Sequence, residues 1–369
     1  MSKNILIISS DFTGHGHKSI TESISEFFPK DDSVKVHVVD GFSLGGRPLL
    51  SIGKSYGPIT RTSKDLWKFI WELSSKTPSI VNEIVEMAIK DNLLNLIEKT
   101  KPDLILSVHP NFNGSVLDVL EQNEIHIPFV TLIADLVSIY PLWADPRVDY
   151  IISPTEEAKV KCIEYGVSPD KIKVLGFPVR SRFTRKLNSE DTAYDINNPL
   201  KCLIMSGGEG VGNMSRIAKI LLENFNCTVK IVAGRNMALR KRLEQSLVEK
   251  YENRVEIYGF TKDIQDLMLA SDIAFTRGSP NVMMEAISCN IPLVITGALP
   301  GQEQGNPEFA EKHNLAVVCY SARDIKKTIA SLLENNAKGL NQIKAAQKEY
   351  ALSNVAKDIA DFLIKLLSN

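Results

Sequence analysis

Residues 4–20, NILIISSDFTGHGHKSI, place an apolar β-branched run, a glycine-rich turn and a helical pattern in direct succession. NILIIS reads as a strand, and beyond the turn Ile20, Ile24 and Phe27 share one side of a helix. The unit then repeats. VKVHVVD (34–40), DLILSVHP (103–110), IPFVTLIAD (127–135), DYIISPT (149–155) and KIKVLGFPV (171–179) are further short apolar runs set among helical stretches. Such runs indicate a parallel sheet covered on both faces. Residues 183–200, FTRKLNSEDTAYDINNPL, are polar and lack a sustained apolar period, which puts a domain boundary there. The pattern restarts with KCLIMSGG (201–208), CTVKIVAG (227–234), RVEIYGF (254–260), DIAFTR (272–277), IPLVITG (291–297) and LAVVCY (315–320). The reading is α/β, with two Rossmann-like domains facing a central cleft: residues 1–182 and 201–345, joined by a linker at 183–200. A helical segment at 346–369, containing KDIADFLIKLL, either completes the second domain or packs back on the first.

Bulk composition excludes several function classes. Forty-three basic residues against forty-four acidic ones give a formal net charge of -1, which argues against a dedicated nucleic-acid binder. Five cysteines, Cys162, Cys202, Cys227, Cys289 and Cys319, lack C-x-x-C spacing, so neither a disulfide framework nor a zinc ribbon is suggested. No apolar stretch approaches the roughly 20 residues needed to span a bilayer, and the opening MSKNILIIS is too short for a secretory signal. A cytoplasmic compartment is therefore expected. Locally the charge is uneven. Residues 41–76 carry a net +4, from Arg47, Lys54, Arg61, Lys64, Lys68 and Lys76 against Asp65 and Glu72, and include Trp67, Phe69, Ile70 and Trp71. The basic residues and tryptophans Arg47, Lys54, Arg61, Lys64, Trp67, Lys68 and Trp71 are expected to form a membrane-facing patch, the first three in a glycine-containing loop ahead of a helix DLWKFIWEL.

Ligands of open parallel sheets bind beyond the carboxyl ends of the strands. TGHGH stands at such an end, where Gly14 and Gly16 permit a tight turn and His15 and His17 avoid the apolar positions of a core histidine. Serine at 19 departs from G-x-G-x-x-G, so this is not the dinucleotide fingerprint. In IADLVSIYPLWADPRVDY, Asp135 ends a strand and Trp143 follows; a strand-end aspartate orients an imidazole or caps a helix. In the second half, Gly207 and Gly208 suit a pyrophosphate loop, Gly234 and Arg235 precede a basic helix, and Gly259 and Phe260 form a loop whose backbone suits a base edge. In TRGSPNVMMEAI, Gly278, Ser279 and Asn281 begin a helix, and Glu285 one turn on suits the two hydroxyls of a ribose. Gln302, Glu303 and Asn306 are polar groups in a loop suited to sugar recognition.

Taken together, ISSDFTGHGHKS, PDLILSVHP, VTLIADLVSIYPLW, VDYIISPTEEAK, KIKVLGFPVRSRF, MSGGEG, VAGRN, VEIYGFTKDIQDLMLASDI, MMEAI and LPGQEQGN resemble, over nearly the whole chain, a group of inverting glycosyltransferases with two Rossmann-like domains. More narrowly, the chain is similar to monogalactosyldiacylglycerol synthases and bacterial processive diacylglycerol glucosyltransferases, relatives of the N-acetylglucosaminyltransferase that makes lipid II. The resemblance implies the GT-B architecture and puts the acceptor-site histidine on His17 and the strand-end aspartate on Asp135. It also puts the ribose-holding glutamate on Glu285, and the residues facing the donor sugar and phosphates on Gln302, Glu303 and Asn306. The family's lysine-proline-glycine-glycine run is replaced here by Thr276, Arg277, Gly278 and Ser279, in which Arg277 keeps a positive charge.

The implied activity is transfer of a hexose from a UDP-sugar to a membrane-lipid hydroxyl, first of all diacylglycerol, with inversion to a β-glycoside. Within it His17 and Asp135 are the catalytic pair, and Gly14, His15, Gly16 and Trp143 are acceptor-side residues. Transfer of N-acetylglucosamine to a prenyl-linked or glycolipid acceptor, and a catalytically silent nucleotide-sugar-binding protein, are the alternatives. No DxD-like motif stands out, so no obligate metal and no cofactor beyond the donor substrate are expected. The partners expected are a nucleotide sugar, a lipid acceptor and an anionic membrane surface at the inner face of the cell membrane.

Overall fold

The computed structural model describes residues 2–11, 13, 16–184, 193–205, 213–351 and 354–368, excluding the side chains of Arg61 and Lys64. The chain divides into two compact units: Met1–Arg180 with Pro300–Gln302 and Asn354–Asn369, and Ser181–Leu299 with Glu303–Ser353.

In the first unit a six-stranded sheet contains β1 (Lys3–Ser9), β2 (Val34–Asp40), β3 (Leu104–Ser107), β4 (Phe129–Leu132), β5 (Tyr150–Ser153) and β6 (Ile172–Val174), in the order β2-β1-β3-β4-β5-β6. All its pairings are parallel. Ile5 to Ile8 of β1 are wholly buried because helices cover both faces, so the strand needs no polar alternation. β2, at the sheet edge, is only partly covered.

The crossover from β2 to β3 differs from expectation. Residues 46–62 form a helix, Gly46–Thr62, rather than a basic loop, and two more helices follow, Lys64–Lys76 and Pro78–Thr100. Leu49, Gly53, Gly57 and Thr60 are buried at helical spacing. At Gly53 a Cβ would lie 2.9 Å from the Phe42 ring, so this glycine permits close packing and does not mark a loop. Ser63 ends one helix and caps the next by accepting from the Leu66 N–H, and Pro78 opens the third where no N–H is required.

The second unit repeats the plan with β7 (Leu200–Met205), β8 (Cys227–Val232), β9 (Val255–Tyr258), β10 (Ile273–Thr276), β11 (Leu293–Ile295) and β12 (Ala316–Val318), in the order β12-β11-β10-β7-β8-β9. Leu200, Ile204, Ile231, Phe275, Ile329 and Leu340 are part of its core. The helical segment Ile325–Tyr350, broken by non-helical backbone from Glu334 to Ala337, belongs to this unit and runs past residue 346, so only the final helix, Val355–Leu366, groups with the first unit. That helix buries Val355, Ala356, Ile359, Ala360 and Leu363, packs on the helix Gly16–Ser25, and sets Phe362 edge-on to Tyr150 at 5.3 Å.

Candidate active site

In the first sheet the strand order reverses between β1 and β3, the position where open α/β sheets bind ligands. Each of these strands delivers a histidine there. His17 is the second residue of the helix Gly16–Ser25, and His109 follows β3 by two residues. Their ring centroids are 4.5 Å apart and both side chains are buried. Nδ1 of His17 lies 2.5 Å from the carbonyl oxygen of Val108. A carbonyl only accepts, so Nδ1 carries the proton and Nε2 keeps the lone pair. His109 has the opposite tautomer: its Nδ1 accepts from the Asn111 N–H at 3.3 Å, which leaves the proton on Nε2.

Burial pulls the His17 pKa down from 6.5 to about 4, against the opposing pull of its Val108 bond. A cation at a helix N-terminus is disfavoured in the same direction. His109 is held well below the usual histidine range by burial and, secondarily, by the facing His17. Both imidazoles are therefore neutral at pH 7, which is the state a general base requires.

Asp135 sits three residues beyond the end of β4 and is 3% exposed. One carboxylate oxygen accepts from Trp143 Nε1 at 2.8 Å and the other from Gln302 Nε2 at 3.2 Å. The Val108 carbonyl thus orients His17, where the sequence suggested Asp135, and Trp143 and Gln302 orient Asp135. Trp143 is wholly buried, with its ring centroid 6.2 Å from that of His17. Gln302, expected on the donor side, groups with the first unit. Gly16 begins the His17 helix, whereas Gly14 and His15 lie outside the described residues.

A cavity of about 220 Å³ adjoins these groups, lined by His17, His109, Asn111 and Asp135 and by an apolar wall that includes Phe42, Ile52, Ile59, Trp67, Ile70 and Trp71. Trp67 stands edge-on to Tyr56 at 5.0 Å, and Trp71 lies 4.7 Å from Tyr140. Both tryptophans, expected on the membrane face, are thus half-buried in the cavity wall. The outward apolar face is a different set. Leu66, Phe69, Ile70 and Leu73 follow one another at helical spacing and are exposed, as are Ile80, Ile84 and Met87 on the next helix; Phe69 is 60% exposed and Met87 65%. Arg47, Lys54 and Lys68 are exposed, and Lys68 pairs with Glu72 at 3.7 Å, while the Arg61 and Lys64 side chains lie outside the described residues.

In the second sheet the reversal falls between β7 and β10. Gly207 and Gly208, beyond β7, lie outside the described residues. Beyond β10 come Arg277, Gly278 and Ser279, then the helix Pro280–Ser288, which carries Asn281 and the buried Glu285. This corner is tightly held. Asn306 Nδ2 donates to the Gly278 carbonyl at 2.8 Å, and the Gly278 N–H donates to the Gly297 carbonyl at 2.7 Å. Glu303 accepts from the Leu299 N–H at 2.8 Å and lies 3.1 Å from Nε of Arg277. The latter contact is an ion pair whose geometry is not that of a hydrogen bond, since Nε has no directed acceptor. At the ends of β8 and β9, the Ala233 N–H donates to the Tyr258 carbonyl, Gly234 has φ +60°, and the Arg235 guanidinium stands 4.8 Å from the Phe260 ring centroid. A Cβ on Gly259 would lie 3.9 Å from the Gly234 carbonyl oxygen. The candidate donor residues therefore gather at carboxyl ends of strands.

Comparison with known proteins places the chain in a family. The model of the monogalactosyldiacylglycerol (MGDG) synthase family matches residues 17–179, and that of glycosyl transferases group 1 matches residues 208–349. A probable monogalactosyldiacylglycerol synthase 2 of Oryza sativa subsp. japonica is 30% identical over 97% of this chain and 80% of its own length. The chain belongs to the monogalactosyldiacylglycerol synthase family. It is a glycosyltransferase of the GT-B fold. A processive diacylglycerol beta-glucosyltransferase of Staphylococcus aureus (strain JH9) is 27% identical over 98% of this chain and 93% of that protein. Among solved structures, Acinetobacter baumannii MurG matches with a TM-score of 0.60 at 12% identity, covering 98% of this chain and 99% of that one. A putative UDP-N-acetylglucosamine 2-epimerase of Listeria monocytogenes matches with a TM-score of 0.66 at 15% identity, covering 97% and 95%. At those identities the likeness establishes the fold alone.

For this MGDG synthase family member, the residue that sequence reasoning missed is His109. Its signal was present: SVHP puts a histidine just beyond a strand, and a reversal of strand order beside β1 brings that strand end to the His17 loop.

Proposed function

We propose that the enzyme transfers a hexose from a UDP-sugar to the free hydroxyl of diacylglycerol, with inversion at the anomeric carbon. The observation that carries this reading is the neutral His17, its Nδ1 committed to Val108 and its Nε2 left as a base, in the wall of a cavity that is otherwise largely apolar. The acceptor oxygen attacks the anomeric carbon and its proton passes to Nε2 of His17. The bond from that carbon to the β-phosphate oxygen breaks, and its electron pair leaves with UDP. Asp135 stabilises the imidazolium that forms.

On the donor side, Arg277, Gly278, Ser279 and the N–H groups opening the helix Pro280–Ser288 receive the pyrophosphate, and Glu285 accepts the ribose hydroxyls. Glu303 holds the Arg277 guanidinium, Asn306 holds the Gly278 turn, and Gly234, Arg235, Gly259 and Phe260 frame the nucleoside.

The enzyme reaches its acceptor as a peripheral protein at the cytoplasmic face of the membrane. Among the described residues no helix is long and apolar enough to cross a bilayer, whereas the exposed apolar row Leu66–Met87 and the basic residues around it suit an anionic leaflet.

The test is incubation with a panel of UDP-sugars and lipid acceptors in vesicles, with and without saturating chelator, followed by determination of the product's linkage. A β-hexosyl-diacylglycerol formed at a rate insensitive to chelator is expected. Release of UDP without a glycosylated lipid would refute the reading.

A further inference from the structure

His109 holds a donor that no described residue uses. Its Nδ1 accepts from the Asn111 N–H at 3.3 Å, capping the short helix Pro110–Phe112, so the ring proton sits on Nε2. Nε2 makes no hydrogen bond to the described residues, yet it is not one of the unpartnered side-chain atoms shut off from solvent. In a residue that is otherwise buried and lines the cavity, that N–H is open to what enters there. The ring is also held in place. Phe42 meets it edge-on at 5.1 Å, and Phe112 packs at 5.3 Å.

The facing ring offers the complement. His17 Nδ1 is committed to the Val108 carbonyl, which leaves a lone pair on Nε2. The two ring centroids are 4.5 Å apart with planes tilted by 48°, and among the described residues no hydrogen bond joins the imidazoles. A donor and an acceptor this close, and not bonded to each other, suit an oxygen that both accepts and donates. A hydroxyl is such a group, with one O–H and two lone pairs, whereas an ester or ether oxygen would leave the His17 lone pair unanswered. With its O–H on His17 and one lone pair on the His109 N–H, a hydroxyl oxygen keeps one lone pair to act as the nucleophile.

We infer that His109 donates its Nε2 hydrogen bond to the acceptor hydroxyl and so directs the oxygen's remaining lone pair at the anomeric carbon. The inference rests on the diacylglycerol reading above, with His17 as the base. The proton still passes to Nε2 of His17 and the bonding pair still leaves with UDP, while His109 neither gains nor loses a proton. Two fixed contacts on one oxygen restrict its approach, which is where orientation contributes to rate.

The experiment measures kcat and KM for dioleoylglycerol in vesicles with wild type, His109→Asn and His109→Gln. Beside it runs the inhibition constant of the dioleoyl ester of propylene glycol, which lacks only the hydroxyl. Asparagine can accept from the Asn111 N–H as Nδ1 does but does not reach the place of Nε2, whereas the longer glutamine brings an amide N–H there. His109→Asn is expected to lower kcat/KM by about 10- to 100-fold with the ester's inhibition constant unchanged, and His109→Gln to recover most of the loss. Unchanged kcat/KM in His109→Asn overturns the inference. So does a loss matched by equally weakened ester binding, which would make His109 a part of the cavity's shape alone. A glutamine variant no more active than the asparagine variant overturns it too. No glycosylated diacylglycerol from wild type overturns the diacylglycerol reading and this inference with it.

Discussion

His17 combines a fixed tautomer with a depressed pKa, and both have consequences that can be measured. Replacing this proposed base by alanine is expected to lower kcat by about 10²- to 10⁴-fold while UDP binding persists in a calorimetric titration. Near-normal turnover would exclude it as the base. The acidic limb of kcat/KM is expected to lie toward pH 4 rather than at the ordinary histidine value of 6.5, because the neutral ring is already the reactive form. Stability follows the same group. The unfolded chain binds a proton at His17 below about pH 6.5 and the folded chain only below about 4, so the unfolded state is the more protonated between them. Folding stability is thus complete above about pH 6.5 and falls as the pH drops toward 4, by ~3 kcal/mol for this one residue. His109 acts in the same direction. Urea denaturation at pH 7 and pH 4.5 measures the difference, and a flat profile would show that the imidazoles are not neutral by burial.

The helix Lys64–Lys76 shows why a proposed membrane-facing element is hard to read from sequence. Its tryptophans, four residues apart, form the inner wall of the cavity, and Leu66, Phe69 and Leu73 form a second apolar stripe facing solvent. Together they make one broad apolar arc, with the tryptophans toward one edge and Phe69 and Leu73 toward the other, and periodicity does not say which edge the protein covers. Two vesicle-binding variants separate the forces involved. Phe69→Ser with Leu73→Ser and Met87→Ser is expected to reduce co-sedimentation at every salt concentration, because apolar burial is not screened. Glutamine at Lys54, Arg61, Lys64 and Lys68 is expected to remove only the preference for anionic lipid, by ~1 kcal/mol for each charge near the surface, and with it the salt dependence. Equal binding by wild type and the serine variant would place the membrane contact elsewhere.

At the scale of the whole molecule, the first unit is assembled from distant parts of the chain, because Asn354–Asn369 groups with Met1–Arg180. Leu363 is wholly buried in that last helix. Leu363→Ala is expected to destabilise the first unit by ~2–5 kcal/mol, the usual cost of a core leucine truncation. All three tryptophans, Trp67, Trp71 and Trp143, lie within Met1–Arg180, so tryptophan fluorescence reports this unit alone. A denaturation midpoint by fluorescence that is unchanged in Leu363→Ala would show that the helix stabilises something else.

Strands and their order along the chain were legible in the sequence. Most of the β1–β12 runs are short and apolar because both faces of the sheet interior are covered, and that pattern is local; β2, at an edge, keeps Lys35, His37 and Asp40. The placement of His17 and Asp135 beyond strand ends was legible too, since each lies within a few positions of an apolar run. Tertiary structure decided the rest. The pairing of His17 with His109, 92 positions apart, depends on β1 lying beside β3. The choice of the Val108 carbonyl over Asp135 as the acceptor for His17 depends on an ångström-scale approach that no spacing encodes. The helix Gly46–Thr62 formed through glycines that look like loop formers because Phe42 needed the space a Cβ would fill. Local periodicity specifies which segments become strands and helices, whereas the part of a broad apolar helix face that ends up buried is set by what packs against it.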